Sequence, residues 1–421
     1  MSAPSPFAIG DFRCYWVTRL ASTIAQMSMV VVIGWQVYDI ARTTMGLKAA
    51  ALQLGLIGMV QFVPLFALTL FTGWAADRID RRLITRASLA LELLCALALG
   101  WLTYHGTVTL TALFVIAGLL GVARAFASPA LQALAPNLVP REVLPRAIAM
   151  SSIAWQSGAI AGPALGGYLY AWAPHMPYAV AAGLLVLSLF AMFLIEPKPR
   201  SPIEGSTNPW RQMIDGLSYV RQNRLVLGAI SLDLFAVLLG GATAMLPVYA
   251  RDILQTGPTG LGHLRAAPAL GATLTAIYFS FRPLRHNVGV KMLGAVVIFG
   301  AATVVFGLSR WMALSLFCLF LLGAADMLSV YVRQSLIQLY TPDAMRGRVG
   351  AVSTLFISAS NELGEAESGF LAAIIGPVAA VVAGGIGAIG VTLLWAKWFP
   401  ELRRARSFDV PPAHQPKEAL P

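Results

Sequence analysis

Apolar runs of roughly 20 residues, the length that crosses a bilayer core as a helix, recur along nearly the whole chain and are separated by short basic loops. Few folds tolerate that pattern. Backbone exposed to lipid has no water to bond, so each run must satisfy its own hydrogen bonds as a helix. Breaking the chain at charges, Pro and Gly predicts twelve spans, near 15–39, 49–72, 83–103, 108–132, 146–172, 176–195, 222–249, 260–281, 289–309, 311–339, 347–374 and 376–398. Only 12% of the 421 residues are charged, against about 25% in a soluble domain. That balance excludes a soluble enzyme and a disordered chain. The first run, from about Tyr15 to Tyr38, outlasts a signal-peptide core and no A-x-A site closes it, so it is expected to stay as a transmembrane helix.

One connection is long and polar. Glu196–Arg221 contains Pro197, Pro199, Pro202, Pro209 and Gly205 and reads as a linker. It divides the chain into an N-terminal six-helix half (1–195), a cytoplasmic linker (196–221), a C-terminal six-helix half (222–398) and a cytoplasmic tail (399–421). An offset of 202 residues supports the division, because it superimposes Gly121 on Gly323, Gln132 on Gln334, Pro140 on Pro342, Arg146 on Arg348, Gly162 on Gly364 and Gly167 on Gly369. The expected fold is an all-α membrane protein with twelve transmembrane helices in two pseudo-symmetric halves. Facing repeats of this kind point to a transporter with its site near the membrane midplane.

The net charge is +11, yet the bases sit in loops between spans, which argues for membrane orientation and against nucleic acid. With the N-terminus inside, the cytoplasmic segments hold 22 of the 30 Lys and Arg, and the outer loops hold four: Arg42, Lys48, Arg251 and Arg310. The positive-inside rule then puts both termini in the cytoplasm. Three scattered cysteines, Cys14, Cys95 and Cys318, have neither disulfide nor metal-ligand spacing and read as small buried hydrophobes. Neither a metal nor a cofactor is expected.

Charges inside spans are costly and are functional candidates by default. Arg124 and Asp326 occupy equivalent repeat positions, Arg333 lies one heptad beyond Asp326, and Asp233 sits about 16 Å into the seventh span at the helical rise. Glu362 and Glu365 in the eleventh span are three apart and share a face, whereas Glu92 stands alone in the third. A carboxyl removed from water keeps its proton to higher pH, so Asp233, Glu362 and Glu365 are expected to handle protons or cationic groups. The plainer reading is structural pairing of the acids with Arg124, Arg265 and Arg333. Arg124 and Arg333 would meet an anionic cargo, and Gln26 of the first span would line the cavity with them. Gly385-x-Gly387-x-x-Gly390 matches a dinucleotide-binding pattern in letters only, since no strand precedes it. It reads as helix packing. No motif for ATP hydrolysis or common hydrolytic chemistry is present.

Two motifs carry a family resemblance. The loop Gly73-Trp74-Ala75-Ala76-Asp77-Arg78-Ile79-Asp80-Arg81-Arg82 resembles the G-x-L-A-D-R-x-G-R-R signature of the major facilitator superfamily. It departs from the signature at Ala75 and at Asp80, where Asp tolerates the left-handed turn that Gly would make. Gly73, Asp77, Arg78, Arg81 and Arg82 are thereby expected to latch the cytoplasmic side; a plain positive-inside loop would explain the arginines but not Asp77. Gly158-x-x-x-Gly162-Pro163-x-x-Gly166-Gly167 resembles the fifth-span motif of the drug:proton antiporters, although pure helix packing predicts the same small-residue spacing.

Residues 357–369 (ISASNELGEAESG), 34–39 (GWQVYD) and 124–130 (RAFASPA) look like segments of the enterobactin-exporter-like subgroup, and the likeness extends over most of residues 10–400. What it implies is a monomeric secondary exporter in a bacterial inner membrane. Its partners would be the lipid bilayer, protons and a small amphiphilic cargo, a siderophore first. A broad multidrug or macrolide effluxer is the alternative within transport. A non-transporting membrane sensor or a lipid-acting enzyme stands outside it, although no soluble domain or interfacial His/Asp cluster marks either.

Overall fold

The computed structural model describes residues 5–140, 143–196, 209–282, 284 and 286–408, without the side chains at 69–78, 133, 135, 136, 145, 209–212, 343, 344, 358 and 362. A helical segment covers every expected span. In chain order these are α1 (Gly10–Thr44), α2 (Leu47–Arg78), α3 (Arg81–Tyr104), α4 (Leu110–Leu138), α5 (Leu144–Trp172) and α6 (Met176–Phe193). A further helix, α7 (Pro209–Gln222), precedes α8 (Arg224–Leu239), α9 (Gly257–Phe281), α10 (Val288–Leu308), α11 (Met312–Tyr340), α12 (Asp343–Ile375) and α13 (Pro377–Trp398). Among the described residues, nine helices are long and apolar enough to cross a membrane. Polar caps set several starts: Thr109 Oγ1 accepts from Ala112 N at 3.2 Å, and Asn223 Oδ1 accepts from Val226 N at 3.2 Å, each satisfying a first-turn donor that the helix itself cannot.

The chain forms two compact units, Met1–Ser206 with Met245–Ala269, and Thr207–Ala244 with Leu270–Pro421. In the first, α5 lies on α1 along glycines four apart. A Cβ on Gly158 would stand 2.7 Å from Thr23 Cβ, one on Gly162 2.7 Å from Met27 Cβ, and one on Gly166 2.8 Å from Ser28 Oγ. Gly167 meets Pro258 O of α9 at 2.5 Å in the same sense. Such approach is how helices gain contact in lipid, where the hydrophobic effect does not drive them together. Gly162→Leu is therefore expected to cost at least about 1–3 kcal/mol through overpacking and to lower the thermal midpoint in detergent. Gly183→Ala, with nothing within 4 Å of its Cβ, should leave the midpoint unchanged.

In the second unit, Gly300 of α10 and Gly385 of α13 face each other, each Cβ position 2.7 Å from the other's carbonyl oxygen, and a Cβ on Gly384 would come 2.1 Å from Leu239 O. The G-x-G-x-x-G letters thus sit in helix packing. Two features differ from a plain reading of the chain. The linker region contains α7, whose Met213, Tyr219 and Val220 pack with Val226, Ile230, Val349 and Val352, while Asp215 pairs with Arg348 at 3.2 Å. An amphipathic face buried on neighbouring helices outweighs a prolyl, polar context. The seventh span is also broken: after α8 come a 3-10 turn (Ala242–Met245), a short turn (Leu246–Val248) and a π-helical turn (Tyr249–Ile253). The break falls at Gly240–Gly241, where a Cβ on Gly241 would strike Gly364 O at 2.4 Å.

Candidate functional site

Three polar clusters stand out. The first, in the first unit, centres on Glu92, at roughly half the length of α3. Its side chain is fully buried. Gln26 of α1 donates from Nε2 to Glu92 Oε1 at 2.7 Å, while Oε2 has no partner among the described residues. Arg124 of α4 is within electrostatic reach of the carboxyl and donates from Nη1 to Gln61 Oε1 of α2 at 3.3 Å. Gln26 and Arg124 are both half-buried. The acid that looked isolated in sequence thus has two of the expected pathway residues beside it. A signal existed: Thr85, Ser88, Leu89, Glu92, Cys95, Ala96 and Leu99 form the buried stripe of α3, so Glu92 belongs to an inward face.

The second cluster, in the second unit, joins Asp233 of α8 to Arg333 of α11 in a direct ion pair. Exposures of 6% and 1% take both out of solvent. Asp326 and Ser329 line a narrow cavity with Asp233, Val237 and Phe299. Glu365, half-buried on α12, does not line it, and the side chain of Glu362 lies outside the described residues. Arg333, expected from the sequence to meet an anionic cargo, is here buried against Asp233. Arg124 and Asp326, equivalent by the repeat, belong to different units.

The third cluster ties the end of α1 to the π-helical turn, both within the first unit. Arg251 Nε pairs with Asp39 Oδ1 at 2.9 Å, and Arg42 Nε pairs with Asp252 Oδ2 at 3.3 Å. Tyr38 donates its hydroxyl to the same Asp252 oxygen. The two ion pairs are reciprocal, one acid and one base from each side. Sequence reasoning placed Arg42 and Arg251 in outer loops and gave them no partners. The signal was present in two short acid–base sets, Asp39 with Arg42 and Arg251 with Asp252.

At the expected cytoplasmic latch, the side chains of Gly73, Asp77 and Arg78 lie outside the described residues. Arg81 and Arg82 open α3. Asp80 is not left-handed: with φ −59° and ψ 120° it is the N-cap of α3, and its side chain accepts from Arg82 N at 2.9 Å. A carboxylate there satisfies an orphan donor and meets the positive end of the helix dipole, which is a reason for Asp independent of any turn. Arg82 also reaches back, Nη2 to Asp80 Oδ2 at 2.5 Å and Nη1 to Ile195 O at 3.0 Å.

The sequence profile of the "Transmembrane secretion effector" family matches residues 1–420. The chain is 27% identical over 407 residues to the protein named "Enterobactin exporter EntS" of Escherichia coli O1:K1 / APEC, covering 95% of this chain and 94% of that protein. The protein of that name from Shigella boydii serotype 18 matches to the same extent. Among solved structures, a POT family transporter in complex with 5-aminolevulinic acid superposes with a TM-score of 0.72 at 13% identity, covering 94% of this chain and 97% of that one. A bacterial homolog of the human lysosomal transporter Spinster gives 0.71 at 14% identity, covering 93% and 97%. At such identity these structures show a shared fold alone. The chain is a multi-pass membrane protein with the major facilitator fold, and it belongs to the transmembrane secretion effector family of the major facilitator superfamily.

Proposed function

We propose that this transporter exports an amphiphilic siderophore from the cytoplasm, driven by protons re-entering through alternating access. The observation that carries the reading is a buried carboxyl group in each unit, Glu92 in one and Asp233 beside half-buried Asp326 in the other, on the background of 27% identity to enterobactin exporters over nearly the full chain. Gln26, Arg124, Asp233, Asp326, Arg333, Glu362 and Glu365 serve the passage of cargo and protons as access alternates. Loop arginines set both termini in the cytoplasm of an inner membrane, and the protein works as a monomer. Gly73, Asp77, Arg78, Arg81 and Arg82 close the inner side, while the Asp39–Arg251 and Arg42–Asp252 pairs close the outer one.

The test is siderophore secretion by a deletion strain in iron-poor medium. Loss from the medium with build-up inside the cells, reversed by the wild-type gene, is the expected result. Normal secretion would reject the siderophore and turn attention to antibiotics or dyes as cargo.

A further inference from the structure

Building on the reading of a proton-driven exporter, we infer that Glu92 carries the coupling proton, and that cargo displaces this proton with a hydrogen-bond-donating group brought in beside Gln26 and Arg124. The site is about 16 Å along α3 from Arg81 at the helical rise, and the carboxyl is fully buried. An ionised carboxylate offers about four acceptor sites over two oxygens. Here one oxygen has a single amide donor, and Oε2 has no partner among the described residues. Leaving such an oxygen unmet is far costlier for the ionised form than for the protonated one. The environment therefore suits a group that changes protonation. Asp233 is the opposite case: protonating it would strand the buried charge of Arg333.

The charges around Glu92 are few. From α4 it faces Arg124, and from α1 the neutral Gln26, with Arg19 two turns away on α1. On α3 itself Cys95 is one turn on. The α6 helix, also packed on α3, contributes Tyr178 as its one titratable side chain, and that hydroxyl donates to Gln36 Oε1 at 2.7 Å. Half-buried Gln26 and Arg124 form the accessible edge of the cluster, with the carboxyl behind them.

Coupling also has a sign. Linkage is reciprocal, so an antiporter needs a cargo that weakens proton binding. A donor group does so by stabilising the ionised carboxylate. A bare anion at Arg124 would do the reverse and carry proton and cargo the same way, against export. The cargo group at Glu92 is thus a hydroxyl or ammonium, such as the phenolic hydroxyl of a neutral catechol. On the cytoplasmic side the cargo donor binds, and the proton on Oε2 leaves to the cytoplasm. On the outer side cargo departs, and a proton from outside adds to Oε2 for the return.

Two readouts separate this inference from the cargo reading. In cargo-free reconstituted protein, the wild type should show an infrared carboxyl band that disappears as pH rises, and Glu92→Gln should lack it. Persistence of the whole band in Glu92→Gln overturns the inference whatever the cargo is. Glu92→Asp keeps a titratable group and should shift the band, so an unshifted band there overturns it even if the Gln variant fails to fold. The second readout uses iron-free enterobactin as probe in inverted vesicles, with a pH difference of one unit, acid inside. The wild type should accumulate it about tenfold, the free energy of one proton per cargo. Glu92→Gln should only equilibrate it, because no proton is then released in exchange for cargo. Gradient-driven accumulation by Glu92→Gln equal to wild type also overturns the inference. Failure of the wild type to move the probe rejects the cargo reading instead, and the infrared result still decides Glu92.

Discussion

Arg333→Leu is expected to abolish export by removing folded protein. The substitution leaves Asp233 buried and uncompensated, which costs about 3–5 kcal/mol when one partner of a buried ion pair is lost. Native stability is only about 5–15 kcal/mol, so much of the margin goes. The double variant Asp233→Leu/Arg333→Leu separates packing from mechanism. Replacing both partners of a buried pair by apolar side chains is often neutral or better for stability, so folded yield and thermal midpoint should largely recover. Export should stay at background, because Asp233 and Asp326 share the cavity beside the pair and a leucine there removes its polar edge. A double variant that exports as well as wild type would reduce the pair to a structural element.

Asp252→Ala is expected to favour an open outer end. Asp252 meets both Arg42 and Tyr38, and Asp39 meets Arg251, so among these three polar pairs of the described residues one substitution unlinks two. Each half-exposed pair alone contributes only about 0.2–1 kcal/mol. Opening this end would break them together, however, so their sum would enter the equilibrium between closed and open states directly. A shift of about 1–3 kcal/mol changes the population ratio roughly 5–150-fold. Spin labels at Thr43 and Gln255, both exposed, should report a longer and broader distance distribution in Asp252→Ala. The exchange variant Arg42→Asp/Asp252→Arg should restore the shorter one. An unchanged distribution in the single variant would mean that other packing closes this end.

Much of the architecture was legible because lipid leaves the backbone so few choices. Periodic apolar length alone located a helical segment for every span, and small-residue spacing at Gly158, Gly162 and Gly166 marked the face that meets α1. The exceptions have local causes. Polar, prolyl stretches read as linkers, yet α7 folds because Tyr219 and Val220 gain burial against α8 and α12. The break after Leu239 follows from backbone crowding between Gly241 and Gly364, a tertiary contact with no signature in hydropathy. Asp80 read as a turn residue and serves as a helix cap, since Asp favours both conformations.

Site residues were legible as types more than as partners. Asp233, Arg333, Arg124 and Gln26 stood out because polar groups are rare within spans. Their pairings depend on helix rotation, which sequence spacing on one helix does not contain. Glu92 is the clearest case. It joins Gln26 from 66 residues away in sequence, and only packing of the α3 stripe brings them together. The reciprocal pairs of α1 and the π-helical turn span more than 200 residues and were visible only as unmatched charges in loops.

The most direct measurement is accumulation of iron-free enterobactin by inverted vesicles carrying the wild-type protein, acid inside, compared with vesicles whose gradient has been collapsed. Concentration above the outside level, lost on collapse and matched by alkalinisation of the lumen, is the expected result. Equal levels with and without the gradient, with no movement of protons, would contradict proton-driven export of this cargo class.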